Sequence, residues 1–375
     1  NTSYTINYEK IKQRKEEIVR NQVKNIEFTI RKMGIDYIEG VATIVDVNTV
    51  EVNGEKHKAN KIIIATGSRP KVIPFEGYNE PFIKTSKDLL ELDTFPKNMV
   101  IIGAGVIGCE MASIFNQLGS EVTLVEFQPD ILPALDKDIK KRARNLFKRQ
   151  GINIVTGAKV VKATSNGDKK VVSYESKGQI KEIETDYVLI AAGRVPYFGG
   201  LDLDKLGVNY DKDGIHVNQF CQTNVESIYA IGDVNGQNML AHKATYDGYQ
   251  AIAHIQNKKR NIRFDLVTSV VFTFPVIATV GKSEDELEKD TYYTTKALFK
   301  SNAKAQCLDE TDGFVKCIFD NDDILIGAHI IGAHAADLIH ELTVSMNARL
   351  SKAALKDIIH AHPTISEVVA EAFKE

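Results

Sequence analysis

Three glycines and an acid form the pattern in this sequence that most directly indicates chemistry. Gly103, Gly105 and Gly108 follow the apolar run 99–102, and Glu126 comes 23 residues after Gly103. In a G-x-G-x-x-G turn, the first glycine permits the tight bend, the second admits a pyrophosphate, and the third lets helix and strand pack closely. The phosphates rest on the helix N-terminus, where free backbone N–H groups favour anions. The pattern therefore predicts a dinucleotide site.

Glu126 stands at the predicted end of the second strand of this unit. A carboxylate there accepts hydrogen bonds from both ribose hydroxyls and repels a 2′-phosphate. No arginine follows it at 127–129. The acid therefore favours NAD over NADP, and the alternative is a solvated acid at a strand end.

A histidine near the C-terminus is a candidate for moving protons. Imidazole in general can take up and release protons near working pH, and a carboxylate bonded to the other ring nitrogen of His362 would raise its basicity. Glu367, five residues further on, could supply that carboxylate. However, Thr364 and Glu367 also form a T-x-x-E capping box that opens the last helix. From the residues alone, both roles of Glu367 stay open.

The segment that must position the glycines alternates strands and helices. Its apolar runs predict strands at 100–102, 122–125, 152–155 and 188–192, helices from the glycine turn to 118 and at 137–149, and a β excursion at 159–184. Such alternation implies a parallel sheet with crossover helices.

The flanking segments have different patterns of apolar and polar residues. Before the glycines, the pattern predicts a helix at 8–33 and short strands at 36–38, 41–45, 49–52 and 62–65. After them it predicts a strand at 223–233 and a helix at 242–256. From residue 267 it predicts antiparallel strands at 267–273, 292–299, 314–319 and 324–331, with helices at 335–346 and 353–359. This last part is expected to be a separate α+β domain.

Two similar strand endings suggest a duplicated architecture. The segment 187–193 ends Ala-Ala-Gly, 90 residues after Gly103, and the segment 61–67 ends Ala-Thr-Gly without a glycine fingerprint before it. Equal spacing would place the opening glycine of that first module about 23 residues before Asn1. We therefore expect an N-terminal head to precede this chain, and a head supplied by a separate polypeptide is the alternative.

Composition narrows the classes of partner. The 375 residues are 43% apolar and 26% charged with net charge −3, which is typical of a globular protein of two to three domains. Because no basic run and no apolar stretch of about 18 residues occurs, neither nucleic acid nor a membrane is an expected partner. The four cysteines are scattered, with no metal-site spacing. They are typical of a reducing compartment, and we expect a cytoplasmic location and no metal.

Several motifs together resemble the flavoprotein disulfide reductases. They are the fingerprint 103–110, the two strand endings, and the segments 223–233 (TNVESIYAIGD), 239–243 (MLAHK) and 360–367 (HAHPTISE). The similarity covers essentially the whole chain and is greatest to the dihydrolipoyl dehydrogenases. It implies an α/β fold with two Rossmann-like nucleotide-binding domains and a C-terminal α+β dimerisation domain. The implied divisions are 1–95 and 219–264 for an N-terminally incomplete FAD domain, 96–218 for a complete NAD domain, and 265–375 for dimerisation.

The resemblance also assigns residues. It implies His362 and Glu367 as the catalytic pair. It implies an NAD site formed by Gly103, Gly105, Val106, Ile107, Gly108, Glu110, Glu126, Val160 and Gly193. It implies an FAD site that includes Ala42, Thr66, Gly67, Gly232, Asp233, Leu240 and Ala241. Glu110 and Asp233 have plainer alternatives, as a first-turn helix acid and a turn-forming aspartate.

The implied reaction is oxidation of dihydrolipoamide by NAD⁺ through FAD and a redox disulfide, in a homodimer that serves lipoyl domains of 2-oxoacid dehydrogenase complexes. His362 would act in the partner subunit's site, and helix 335–346 with the tail would form the dimer contact. The family's C-x-x-x-x-C pair and first fingerprint would lie before Asn1, so residues 1–375 by themselves are expected to be inactive for dithiol oxidation.

Three alternatives remain open. Glutathione reductase relatives share the His-Pro-Thr tail but usually take NADP, against which Glu126 argues. Mercuric reductases typically end in a cysteine pair, which is absent from this sequence. The third is a redox-inactive chain that binds NAD and dimerises.

Overall fold

The computed structural model describes residues 5–374. The helices are α1 (Tyr8–Lys32), α2 (Ser86–Leu89), α3 (Val106–Gln117), α4 (Lys137–Arg149), α5 (Ala241–Ile255), α6 (Ala303–Leu308), α7 (Ala335–Asn347), α8 (Lys352–Lys356) and α9 (Glu367–Lys374). The strands up to residue 166 are β1 (Ala42–Asp46), β2 (Thr49–Val52), β3 (Glu55–Lys58), β4 (Ile62–Ile64), β5 (Ser68–Pro70), β6 (Ile83–Lys84), β7 (Asn98–Ile102), β8 (Glu121–Glu126), β9 (Asn153–Thr156) and β10 (Ala158–Asn166). The remaining strands are β11 (Lys169–Ser176), β12 (Gln179–Glu184), β13 (Tyr187–Ile190), β14 (Arg194–Pro196), β15 (Tyr210–Asp211), β16 (Gly214–Ile215), β17 (Ile228–Ala230), β18 (Ser269–Val271), β19 (Val276–Gly281), β20 (Tyr292–Leu298), β21 (Phe314–Asp320) and β22 (Leu325–Gly332).

The chain divides into two compact units. The first combines residues 5–71, 90–94 and 194–262, and the second combines 72–89, 95–193 and 263–374. The first unit therefore consists of segments far apart in the sequence, as the split FAD domain implies.

The first unit is built on the parallel strands β4 and β17, which pair from Ile62 with Ile228 to Ile64 with Ala230. An antiparallel sheet β1-β2-β3 and the short pairs β5-β14 and β15-β16 complete its strands. The core joins apolar side chains from both sequence segments, among them Ile44, Ile62, Ile64, Leu203, Leu206, Val208, Ile215 and Ile228. Because 203–215 belongs to this core, residues 194–218 lie in the first unit and not with the predicted NAD segment 96–218.

The second unit contains a five-stranded parallel sheet in the order β6-β13-β7-β8-β9. The residues of β7 from Met99 to Ile102 are all buried, as expected for a parallel strand covered on both faces. Helix α4 has a buried stripe of Ile139, Ala143, Leu146 and Phe147, whose spacing matches the helical period. The predicted β excursion is the antiparallel sheet β10-β11-β12. The strand β6, at residues 83–84, pairs with β13, so it lies with this sheet and not with the predicted FAD segment 1–95.

The last part of the chain is an antiparallel sheet in the order β18-β19-β22-β21-β20. Helix α7 packs against β19 and β22, and helix α9 packs against β20 and β21. The predicted α+β domain is therefore confirmed. The sequence pattern did not predict strand β19, which directly follows Pro275. The predicted helix 353–359 ends earlier, at Lys356.

The predicted strand at 36–38 is wrong. These residues form no strand, and Tyr37 and Ile38 are exposed, so the run has neither a partner strand nor a core to face. The predicted strand 223–233 is limited to Ile228–Ala230, and a 3-10 turn, Gly232–Asn235, follows it.

A buried ion cluster joins α4 to the antiparallel sheet within the second unit. Lys316 on β21 is fully buried, and its Nζ lies 2.9 Å from Asp136 Oδ1 and 3.0 Å from Asp138 Oδ2, with Glu284 as a third partner. Burial alone would raise the pKa of Asp136, but the hydrogen bonds from Lys316 lower it. The cluster holds the N-terminus of α4, where Asp136 caps the helix by accepting from the Asp138 N–H.

Within residues 5–374, no helix is both long enough and apolar enough to cross a lipid bilayer.

Candidate cofactor and proton-transfer site

The three glycines of the fingerprint have three different surroundings. Gly103 has φ +101°, and a Cβ there would lie 2.5 Å from the Ala191 carbonyl oxygen. A Cβ on Gly108 would lie 1.9 Å from the Gly103 carbonyl oxygen, so the helix packs directly on the turn. A Cβ on Gly105 would meet nothing within 4 Å. The middle glycine thus borders open space, which is where the predicted pyrophosphate belongs.

The turn lies at the carboxyl edge of the parallel sheet. Strand β7 pairs with β8 on one side and with β13 on the other, so the chain reverses its direction of winding at β7. Nucleotides bind at such switch points in open α/β sheets. Gly105 is the N-cap of α3 and makes no side-chain cap, and Val106 and Ile107 follow in the first turn. The residues present therefore fit a bound dinucleotide phosphate.

The carboxylate of Glu126 lies at this turn. Its Oε2 accepts a hydrogen bond from the Ala104 N–H at 2.5 Å, and its Oε1 accepts from the Gln128 N–H at 2.7 Å. Glu126 as a whole is 7% exposed. The solvated strand-end alternative does not describe this buried acid, which is fixed against the backbone between Gly103 and Gly105.

The other predicted NAD residues occupy separate positions. Val160 is buried on β10, and Gly193, with φ +100°, follows β13 with open space beside its Cα. Glu110 on α3 accepts a hydrogen bond from the Phe272 N–H at 2.9 Å. Burial raises the pKa of Glu110, and that hydrogen bond opposes the rise. In this structure Glu110 therefore links α3 to the loop that follows β18.

Two alanine substitutions separate the roles of the glycines. Gly105→Ala is expected to leave the melting temperature unchanged and to weaken NAD⁺ binding about tenfold or more, because the methyl group fills the phosphate space without touching protein. Gly108→Ala is expected to lower stability by about 1–3 kcal/mol, because its Cβ collides with the turn. Thermal unfolding and titration calorimetry measure both effects. Unchanged NAD⁺ binding by the Gly105 variant would contradict the assignment.

The candidate FAD acid, Asp233, lies in the first unit among polar partners. Its Oδ2 accepts from Ser68 Oγ at 2.5 Å and lies 3.9 Å from Arg194 Nε, which itself donates to Ser68 Oγ at 2.7 Å. Within the described residues, no hydrogen bond reaches Asp233 Oδ1. That oxygen can therefore accept a hydrogen bond from a ligand hydroxyl.

Three of the other candidate FAD residues lie at strand ends of the same unit. Gly67 and Thr66 follow β4, and Gly232 follows β17, so they share the carboxyl edge of a parallel pair. Leu240 is the N-cap of α5, Ala241 its first residue, and no side chain caps this helix. Ala42 opens β1 and is exposed. An uncapped helix N-terminus beside a partly free acid fits the polar part of a flavin nucleotide.

The predicted histidine–glutamate pair is formed. His362 Nδ1 lies 3.0 Å from Glu367 Oε1, and Glu367 Oε2 accepts from the Thr364 N–H at 2.8 Å. These bonds lower the pKa of Glu367, the backbone bond most strongly. Each oxygen of the carboxylate thus serves one of the two roles left open by the sequence. Because a carboxylate only accepts, Nδ1 donates and the basic atom of a neutral His362 is Nε2, on a side chain that is 72% exposed.

The cysteines of residues 5–374 form no disulfide, and Cys307 is the exposed one. Burial raises the pKa of Cys317 to about 12, and burial with the nearby Asp247 carboxylate raises that of Cys221 to about 12. The pKa of buried Cys109 is also raised. These three thiols are therefore poor nucleophiles.

Ser68 and Arg194 were not predicted from the sequence. They lie 165 and 39 residues from Asp233, and no short spacing links the three. The one sequence signal for Arg194 was that a basic residue directly follows Gly193.

The comparisons with known proteins agree on one family. Residues 2–248 match the family described as pyridine nucleotide-disulphide oxidoreductase, and residues 267–373 match its dimerisation domain. The chain is 39% identical over 369 residues to dihydrolipoyl dehydrogenase 2, mitochondrial, from Arabidopsis thaliana, covering 96% of this chain and 73% of that protein. It is 36% identical to the dihydrolipoyl dehydrogenase of Trypanosoma brucei brucei, over 98% of this chain and 80% of that protein.

A solved structure supports the same fold. The HOCl-induced flavoprotein disulfide reductase RclA from Escherichia coli has a TM-score of 0.91 and 27% identity, covering 98% of this chain and 86% of that chain. The expected architecture of two nucleotide-binding domains and a dimerisation domain is confirmed. The chain therefore belongs to the pyridine nucleotide-disulphide oxidoreductase family, as a dihydrolipoyl dehydrogenase-like flavoprotein disulfide oxidoreductase with FAD and NAD as its cofactors.

Proposed function

We propose that this protein oxidises dihydrolipoamide to lipoamide and reduces NAD⁺ to NADH. The observation that carries the proposal is the Glu367 carboxylate, which bridges His362 Nδ1 and the Thr364 backbone and leaves Nε2 of the imidazole exposed. A dithiol must lose a proton before its sulfur attacks a disulfide. An exposed basic nitrogen held in one tautomer by a carboxylate suits that task.

Each residue has a role in this proposal. His362 Nε2 takes the thiol proton, and Glu367 orients the ring and stabilises the imidazolium that forms. Asp233 Oδ1 holds a ribitol hydroxyl, while Gly105 and the α3 N-terminus hold the NAD pyrophosphate. FAD, when bound, would supply the two-electron chemistry that links dithiol oxidation to the reduction of NAD⁺.

Glu126 supports NAD⁺ as the acceptor in preference to NADP⁺. Its carboxylate is buried at the turn, held by the Ala104 and Gln128 backbone N–H groups. A 2′-phosphate at the adenosine ribose would approach a desolvated negative charge, which costs several kcal/mol. The ribose hydroxyls of NAD⁺ would instead donate to the same oxygens.

A homodimer is part of the proposal, with His362 acting in the site of the partner subunit. The match to the dimerisation domain supports it, as do exposed apolar side chains around the tail. Val344 on α7 is 67% exposed and Ile359 is 96% exposed. Burial of such side chains against a second copy is favourable. Lipoyl domains are the proposed macromolecular substrates, and the unpaired cysteines of residues 5–374 support a reducing, cytoplasmic setting.

The cysteines also favour a second candidate function, a dimer that binds NAD without dithiol chemistry. No two of the four are paired, and three are buried with raised pKa values. The redox disulfide of the proposed reaction is therefore not assigned to any of them.

Turnover separates the two candidates. Protein that carries the redox disulfide implied by the family resemblance is loaded with FAD and mixed with dihydrolipoamide and either NAD⁺ or NADP⁺, and reduced nucleotide is followed by absorbance. We expect NADH to form and NADPH to form at least about tenfold more slowly, as loss of charge-assisted ribose contacts implies. Reduced glutathione with NADP⁺ is the control for a glutathione reductase. A sample that binds both cofactors but forms no NADH would support the redox-inactive candidate instead.

A further inference from the structure

A buried ion pair lies beneath the Gly232–Asn235 turn in the first unit. Lys243 and Asp247 are one helical turn apart on α5, with Nζ 2.8 Å from Oδ2, and their side chains are 3% and 1% exposed. An ion pair taken out of water gains little net stability and often can be replaced by apolar side chains without loss. The burial of this ion pair beneath the turn therefore needs an explanation other than a gain in stability.

The Asp247 carboxylate gathers donors from the turn itself. Its Oδ2 accepts from the Gly232 N–H at 3.0 Å and from Asn235 Nδ2 at 3.2 Å, besides Lys243. Asn235 Oδ1 in turn accepts from the Gln237 N–H at 3.0 Å. One buried oxygen thus fixes both ends of the turn.

Packing fixes the turn from the other side. A Cβ on Gly232 would lie 3.0 Å from the Ala244 Cβ, so the turn is seated on α5. Asp233 directly follows Gly232, and its side chain is oriented by Ser68 and Arg194. The backbone of Asp233 is therefore set by α5, and its carboxylate by the β5–β14 strands.

We propose that Lys243 and Asp247 are positioning residues for the flavin site, which hold Asp233 in place and so set the affinity for FAD without contacting it. The inference rests on the proposed role of Asp233 in FAD binding. Lys243 Nζ lies 2.8 Å from Asp247 Oδ2, the same oxygen that accepts from the Gly232 N–H, and a charged acceptor holds an N–H more firmly than a neutral one.

The test removes the pair without leaving a lone buried charge. The double variant Lys243→Met/Asp247→Leu has no unpaired ion but also no acceptor for the turn. Apoprotein prepared by removing FAD is titrated with FAD, and binding is followed by flavin fluorescence and visible circular dichroism. We expect the FAD Kd to rise about tenfold, the usual effect of losing a charged hydrogen bond. The single variant Asp247→Glu keeps both Lys243 and a carboxylate. It is expected to bind FAD more tightly than the double variant does.

Two controls separate positioning from general destabilisation. Leu206→Ala removes a side chain from the core of the same unit. Its change in melting temperature is compared with that of the double variant. It is expected to weaken FAD binding less than the double variant does. In an Asp233→Asn background, the effect of the double variant is expected to fall below about twofold, because coupled residues are not additive.

Three results would overturn the inference: an unchanged FAD Kd, equal weakening in the Asp233→Asn background, or equal weakening by Leu206→Ala. If the unsubstituted protein itself fails to bind FAD, both the proposed function and this assignment are wrong. A failure confined to the variants leaves the proposed function intact.

Discussion

Replacing Glu126 with arginine is expected to turn the preference of the protein from NAD⁺ to NADP⁺. The native carboxylate lies buried at the fingerprint turn, where it would accept the ribose hydroxyls and repel a 2′-phosphate. A guanidinium at this strand end would lose the first interaction and gain a charge-assisted one with the phosphate. Each effect is of order 1.5–3 kcal/mol, so the ratio of the two Kd values is expected to change by about 100-fold or more.

Calorimetry is the suitable measurement, since the chain has no tryptophan to report binding. Glu126→Gln is the matched control, because its amide oxygen can still accept from a backbone N–H while its charge is gone. This variant is expected to lose discrimination without gaining NADP⁺ affinity. An unchanged Kd ratio in the arginine variant would remove Glu126 from the nucleotide site.

His362→Ala is expected to slow dithiol oxidation about 10²–10⁴-fold, the usual contribution of a positioned general base. NADH oxidation by an artificial acceptor, which needs no thiol proton transfer, is expected to change less than about threefold. The physical reason is the exposed Nε2 that Glu367 leaves available for substrate. Steady-state rates of the two reactions, in FAD-loaded protein that carries the redox disulfide implied by the family, measure the split.

His360 offers a matched control in the same loop. Its Nε2 is 2.8 Å from Glu341 Oε1 and its side chain is 8% exposed, so it is built into the fold. His360→Gln is expected to affect both half-reactions alike, through stability. Equal losses of the two rates in the His362 variant would show a structural histidine and end its role as base.

Local sequence signals predicted the parallel sheet of the second unit and its helices well. The alternation of apolar strands with the helices α3 and α4 follows from periodicity and turn chemistry within about 60 residues. The different surroundings of Gly103, Gly105 and Gly108 follow from the steric demands of one turn. The residues alone left open whether Glu367 pairs with His362 or caps α9, and the family resemblance implied the pair; the two carboxylate oxygens do both.

Long-range arrangements could not be predicted from these signals. Asp233 is held by Ser68 and Arg194, which reach it from strands that are distant in sequence. The segment 203–215 joined the first unit because its apolar side chains meet β4 in the fold, which no periodicity encodes. Lys243 and Asp247 have the i, i+4 spacing of a helical ion pair. That spacing alone does not show whether the pair lies on the surface or is buried.

The position of NAD⁺ bound to this protein tests the account most directly. A crystal structure of the NAD⁺ complex is expected to show the pyrophosphate beside Gly105 and the N-terminus of α3, with the adenosine ribose hydrogen-bonded to Glu126. A nucleotide bound elsewhere, with the space beside Gly105 occupied by solvent and Glu126 still directed only to the backbone, would contradict it.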